Sequence, residues 1–321
     1  MLNIQHSLPA SNPCLTAFCH GSTILPLPNG DFLAAWFGGT AEGLDDSGIY
    51  LARLSNGAPA WGPPVLVSPA EGHPCGNPVL FLGPGDKIWL IYFRVWGAWC
   101  TGGKPCARVS EDGGRTWGPE RVLLDRSGLL VRNKPIRWGN ELLLPVYDEL
   151  RWTCGITRIP LDGSPWRWDD LSIGESSGVA AIQGSLFPLA ADRLLMLMRT
   201  KEGHVWRVES PDGGYTWHGL RPTSLPNPNS AIDGVVLPDG AMLLVFNDTD
   251  RGRDPMQWDL RYPLTVALSR DGGENWQRVL ILETGPGEFS YPAAVIDYAG
   301  RVHVVYTWRR REIRHVVLSI D

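Results

Sequence analysis

The chain has 321 residues, 43% of them hydrophobic and 20% charged, with a formal net charge of -5. That balance supports a large packed core and excludes a disordered chain; with no basic block, it also excludes nucleic acid as a partner. No apolar run approaches the ~20 residues of a membrane span. The N-terminal segment MLNIQHSLPASNPCLTAFCHG has no basic stretch followed by an apolar one. It reads as lacking a secretory leader, which points to a cytoplasmic protein with its six cysteines reduced.

In chain order, paired apolar runs meet at tight turns. The first is TILPLPNGDFLAAWF (23–37), turning at Gly30. PVLFLGPGDKIWLIYF (78–93) turns at Gly85 and KPIRWGNELLLPVY (134–147) at Gly139. SLFPLAADRLLMLM (185–198) turns at Asp192, GVVLPDGAMLLVF (234–246) at Gly240, and AAVIDYAGRVHVVYTW (293–308) at Gly300. Each reads as a β-hairpin, and the nearly continuous apolar character suits strands buried on both faces. The turns lie 48 to 60 residues apart.

Between the hairpins a second repeat recurs. SEDGGRTW (110–117), SPDGGYTW (210–217) and SRDGGENW (269–276) share Ser, Asp, Gly and Trp in the pattern S-x-D-x-G-x-x-W. Degenerate copies end at Trp61 and Trp168. The Asp suits capping of a tight turn, the Gly a left-handed position, and the Trp packing against the sheet. These repeats account for much of the high count of 15 tryptophans. Six such units predict one all-β domain over 1–321, a six-bladed β-propeller of four-stranded blades with the N-terminal segment closing the last blade.

In that architecture, polar residues beside the innermost strands face the channel mouth. His20, Glu42 and Asp46 come from blade one and Arg94 from blade two. Lys134 and Glu149 come from blade three, Arg199 from blade four, Asn229 and Arg261 from blade five, and Tyr291 and Arg309 from blade six. Arginines and carboxylates converging on one mouth suit an anionic sugar. Cys14, Cys19 and His20 lack a second pair with zinc spacing, so neither metal nor cofactor is expected.

The repeated motif is the Asp-box, and through it the whole chain resembles the sialidase (neuraminidase) superfamily. The resemblance implies a retaining exo-glycosidase acting on a terminal acidic sugar of an oligosaccharide or glycoconjugate. It implies that Tyr291, in FSYPAAV, is the nucleophile, that Glu149 accepts its proton, and that Asp46, in D-S-G-I, is the acid/base. Arg199, in LLMLMRTKEG, and Arg261, in LRYPLTVALSRDGG, would bind the carboxylate. Blade one departs from the pattern, because His20, in Cys19-His20-Gly21-Ser22, stands where the family carries an arginine. Arg94, Lys134 or Arg309 would then compensate, with Asn229 a further substrate contact. The Arg-Ile-Pro at 158–160 precedes a degenerate Asp-box and matches that arginine site only by chance. Two alternatives stay open: a lyase or glycosidase on uronate-containing glycans, with His20 or Tyr291 as base, and a non-catalytic glycan-binding propeller.

Overall fold

The computed structural model describes residues 4–6, 10–168, 172–251 and 260–320. Six antiparallel sheets form six blades, each running from the channel outward in sequence order except the sixth, whose outer edge is the N-terminal segment. Blade one is Phe18–Pro26, Phe32–Gly39, Gly48–Leu54 and Val65–Ser68. Blade two is Cys75–Leu82, Ile88–Val95, Gly103–Ser110 and Arg121–Val122. Blade four is Ala181–Pro188, Leu194–Thr200, His204–Ser210 and His218–Pro226. Blade five is Asp233–Val236, Met242–Asn247, Leu264–Ser269 and Gln277–Glu283. Among the described residues no helix is long and apolar enough to cross a membrane.

Blade three differs from the four-stranded expectation. Its inner edge is split into Leu129–Val131 and Ile136–Trp138, both paired with Glu141–Asp148, followed by Thr153–Pro160 and Arg167–Trp168. The break falls at Arg132-Asn133-Lys134-Pro135, where proline has no N–H for the ladder. The freed side chains reach across the channel instead. Asn133 donates to the carbonyls of Gln183 and Gly184 at 3.2 and 3.0 Å, and Arg132 donates to those of Ser22 and Pro292 at 3.3 and 2.9 Å.

Blade six comprises Phe289–Ile296, Val302–Trp308 and Glu312–Ile320. The N-terminus closes it: Ile4 pairs with Ile320 and Ala10 with His315. Just past this closure, Cys14 and Cys19 are joined in a disulfide, with their Cα atoms 6.1 Å apart. This corrects the expectation that all the cysteines are reduced. The closing strand ends beside the first strand of blade one, which brings the two thiols within bonding range. Cys75, Cys100, Cys106 and Cys154 are free thiols.

The Asp-boxes sit at the outer turns. In blade four, Ser210 Oγ accepts from Gly214 N at 2.7 Å and donates to Asp212 at 2.8 Å. Asp212 in turn accepts from the amides of Tyr215 and Thr216. These bonds to the ionised form hold its carboxyl down at about 2, led by the Thr216 hydroxyl. The boxes also join blades, since an arginine on the third strand of the preceding blade donates to the first box glycine's carbonyl. Arg53 meets Gly113, Arg158 meets Gly213 at 2.9 Å, and Arg207 meets Gly272 at 3.4 Å. Arg158, the arginine of the 158–160 match, is thus a buried scaffold residue, also paired with Glu141.

The second box glycine is tightly placed. Gly214 has φ 93°, and a Cβ there would lie 2.7 Å from Ile156 Cδ1 of blade three. Gly214→Ala is expected to destabilise the fold by about 1–3 kcal/mol, from left-handed strain plus overpacking. A urea-unfolding midpoint equal to wild type would remove the inter-blade role assigned to this turn.

Candidate functional site

The innermost strands of four blades carry the same irregularity at the same height. Register shifts fall between His20 and Thr23, Gly76 and Val79, Ile182 and Ser185, and Ser290 and Ala293. Each leaves two residues opposite one, a β-bulge. The first bulged residue is left-handed every time: Gly21 (φ 62°), Asn77 (45°), Gln183 (56°) and Tyr291 (54°). Asn229, just ahead of the first strand of blade five, has φ 57°. A left-handed backbone costs a non-glycine residue roughly 1–2 kcal/mol. Such strain at several positions around one channel is a mark of a functional site.

Tyr291 stands at the centre. Its hydroxyl accepts Nη1 of Arg199 at 2.9 Å. The guanidinium carbons of Arg132, Arg261 and Arg199 lie 5.1, 5.6 and 5.9 Å from its ring centroid. Arg199 is aimed by two further bonds, Nε to Asn229 Oδ1 at 2.9 Å and Nη1 to Gln183 Oε1 at 3.1 Å. Gln183 and Asn77 are held in turn by the buried Tyr147 hydroxyl. Arg261 pairs with Glu288 at 3.0 Å, while its buried Nε has no hydrogen-bond partner among the described residues.

His20 lies against Tyr291, with ring centroids 4.1 Å apart. Its Nδ1 is 3.0 Å from Thr307 Oγ1, and its buried Nε2 has no hydrogen-bond partner among the described residues, with Glu288 Oε1 3.9 Å away. Burial, reinforced by the positive charges of Arg310, Arg261, Arg132 and Arg199, holds this imidazole well below its usual range. His20 is therefore a neutral ring at neutral pH. Glu149 is perturbed in the opposite sense. Burial raises its carboxyl, while Arg199 and Lys201 pull it back.

The predicted site residues thus divide. His20, Arg199, Asn229, Arg261 and Tyr291 come together, and Glu149 shares the electrostatic surroundings of Arg199. Arg94 is spent within blade two, paired with Glu120 at 2.8 Å and bonded to the carbonyls of Pro69, Ala70 and His73. Lys134 is spent on Asp233 and the Gly234 carbonyl, both at 2.8 Å. Asp46 is exposed, accepting from Thr40 N and Oγ1 at 2.9 and 2.6 Å. Arg309 is exposed at the rim over the Trp308 ring, 4.9 Å from its centroid.

Arg310, which the sequence places with Arg309 in blade six, joins the mouth, while Glu288, paired with Arg261, and Cys100, near Glu149 and Arg199, are additions from the structure. Glu288 lies three residues before Tyr291 in sequence, a proximity that could have drawn attention to it. Among the described residues no cluster of three or more His, Cys, Asp or Glu side chains could hold a metal ion.

Six antiparallel blades with box turns at their outer edges define a six-bladed β-propeller. The chain belongs to the BNR repeat-like domain family, whose profile matches residues 30–304. No curated protein matches it. Solved structures with the same fold include a protein of unknown function from Dyadobacter fermentans, 15% identical, covering 99% of both chains with a TM-score of 0.76. The sialidase of Trypanosoma rangeli is 14% identical with a TM-score of 0.71; the match covers 94% of this chain and 54% of that enzyme. The intramolecular trans-sialidase of Ruminococcus gnavus, solved with oseltamivir carboxylate, is 14% identical over 93% of this chain and 94% of its own, with a TM-score of 0.70. Likeness at this level of identity establishes the fold alone.

Proposed function

We propose that the protein is a sialidase-like retaining glycosidase that removes a terminal carboxylated sugar, sialic acid by resemblance. The observation that carries this reading is the Tyr291 ring set among three guanidinium groups, with its oxygen on Arg199. Arg199 and Arg261 bind the sugar carboxylate, and the N–H on the phenol oxygen stabilises charge developing there. Tyr291 oxygen attacks the anomeric carbon as its proton passes to Glu149. The glycosidic bond breaks, and Asp46 gives its proton to the leaving oxygen. Water then attacks the glycosyl-tyrosine, losing a proton to Asp46 and restoring the phenol with the proton Glu149 held. A neutral phenol suits attack beside a carboxylate, which would repel an anionic nucleophile.

Arg199→Ala and Arg261→Ala are each expected to weaken binding of an acidic sugar by about tenfold or more, the worth of a charge-assisted hydrogen bond. A neutral analogue should lose little. Calorimetric titration of both ligands tests this, and equal losses for the two would count against carboxylate recognition.

One observation favours a second reading. His20 is neutral, buried and, among the described residues, without a hydrogen-bond partner at Nε2 beside Tyr291. That suits a base that takes the proton α to a uronate carboxylate, while the electron pair forms a C=C bond and expels the glycosidic oxygen. An ultraviolet-absorbing unsaturated product, in place of a reducing acidic sugar, would select it.

A further inference from the structure

Two consecutive arginines occupy a tight turn at the channel mouth. Arg309 and Arg310 join the last two strands of blade six with φ 50° and 56°, and Arg311 N closes the turn onto Trp308 O at 3.0 Å. Two adjacent left-handed positions favour Asn-Gly, and arginine there is strained. The turn is pinned to blade one, because the Arg310 carbonyl accepts Cys19 N at 2.9 Å, one residue before His20.

The Arg310 side chain bridges two carboxylates, Glu288 of its own blade and Glu42 on the 40–46 loop of blade one. These two differ in their other ties. Glu288 also accepts Arg261 at 3.0 Å and Ser290 at 2.8 Å, and its side chain is 6% exposed. Glu42 is 28% exposed, and among the described residues Arg310 is its partner. Losing Arg310 would leave Glu288 desolvated, whereas Glu42 can return to water at little cost. The rest of the loop is fixed at its neck by Asp46 on Thr40, and Gly43 lies on the Trp99 indole, where a Cβ would come within 3.1 Å.

We propose that Arg310 is a specificity-determining cation that exchanges Glu42 for the anionic group of the ligand, so that binding a carboxylated sugar releases the 40–46 loop. This rests on the reading of the mouth as a carboxylate site. It gives the strained arginine turn a purpose, since a side chain on this turn reaches both the loop and the pocket. It also ties the loop that carries Asp46 to the arrival of substrate.

The test is calorimetric titration of N-acetylneuraminic acid and of glucuronic acid, with methyl galactoside as the neutral control. Hydrogen exchange of peptides spanning 40–46 is followed alongside. Glu42→Gln removes the competitor and is expected to bind the acidic sugar between about two- and fivefold more tightly, the range of a partly exposed ion pair. Arg310→Ala should bind it about tenfold more weakly. Exchange in the loop should rise when the wild type takes ligand, and should already be high in ligand-free Glu42→Gln. Unchanged or weaker binding by Glu42→Gln, with Arg199→Ala still impaired, would overturn the exchange and leave the carboxylate reading intact. Tighter binding by Glu42→Gln with Arg199→Ala unimpaired would support the exchange and remove Arg199 from the clamp. Failure of the wild type to bind either acid would overturn both.

Discussion

Tyr291→Phe is expected to lower turnover by about 10³-fold or more while the propeller still folds, as for loss of a nucleophile that acts as one unit with its proton acceptor. The substitution removes one oxygen and keeps the ring. The contacts of His20, Arg132, Arg199 and Arg261 with that ring therefore persist. Arg199 loses one hydrogen bond but keeps Gln183 and Asn229, so its aim survives. The effect should accordingly fall on kcat more than on affinity for the acidic sugar. A 3-fluoro sialic acid probe should label the wild type at Tyr291 and leave the variant unlabelled. Full activity in Tyr291→Phe, with no labelled wild-type tyrosine, would end the retaining mechanism. Loss of activity in Tyr291→Phe together with an unsaturated product would instead favour proton abstraction at this site.

The blades were legible because their signal is repeated and local. Hairpin turns at Gly30, Gly85 and Gly139 recur once per blade, boxes such as 210–217 fall between them, and each motif folds its own turn. Arg199, Arg261 and Tyr291 were legible through resemblance, since each sits at a fixed place relative to a hairpin or box. Other features depend on contacts between blades. Arg94 and Lys134 read as free cations until Glu120 and Asp233 appear beside them, 26 and 99 residues away in sequence. Glu42 and Arg310 are 268 residues apart and meet only because the ring closes. The bulges that aim Gln183 and Tyr291 leave only a faint compositional trace, the Gly184 and Pro292 that follow them, because the left-handed positions themselves carry neither glycine nor asparagine. The Cys14–Cys19 disulfide likewise follows from where the closing strand ends.

Acid should weaken this propeller well before its carboxylates protonate, and the seam between blades six and one should yield first. His303 and His315 are buried there, with Nδ1 of one 2.9 Å from Nε2 of the other. His303 Nε2 is 3.1 Å from Asp297 Oδ2. Phe32 stacks on His303, and Trp61 meets His315 edge-on, both from blade one. Burial, then the neighbouring His303, pushes His315 down to about 3. Burial also lowers His303, although Asp297 draws it back, and His20 is lowered more strongly at the mouth. In the unfolded chain a histidine titrates near 6.5. Below that pH the unfolded state therefore binds more protons than the folded one, and stability falls as pH falls. From the His315 shift alone the loss at pH 5 is about 2 kcal/mol. Glu149, raised by burial, opposes this with a single group, and the lowered carboxylates such as Asp297 add to the loss only near and below pH 4. Urea midpoints measured from pH 8 to pH 5 should drop steadily, and His315→Gln should flatten the slope by about one proton. Because Ala10 pairs with His315, amides of the closing strand should lose hydrogen-exchange protection at higher pH than those of blade four. A wild-type midpoint that stays level from pH 7 to pH 5 would mean that these histidines accept protons in place, and the seam would not be the acid-labile part of the ring.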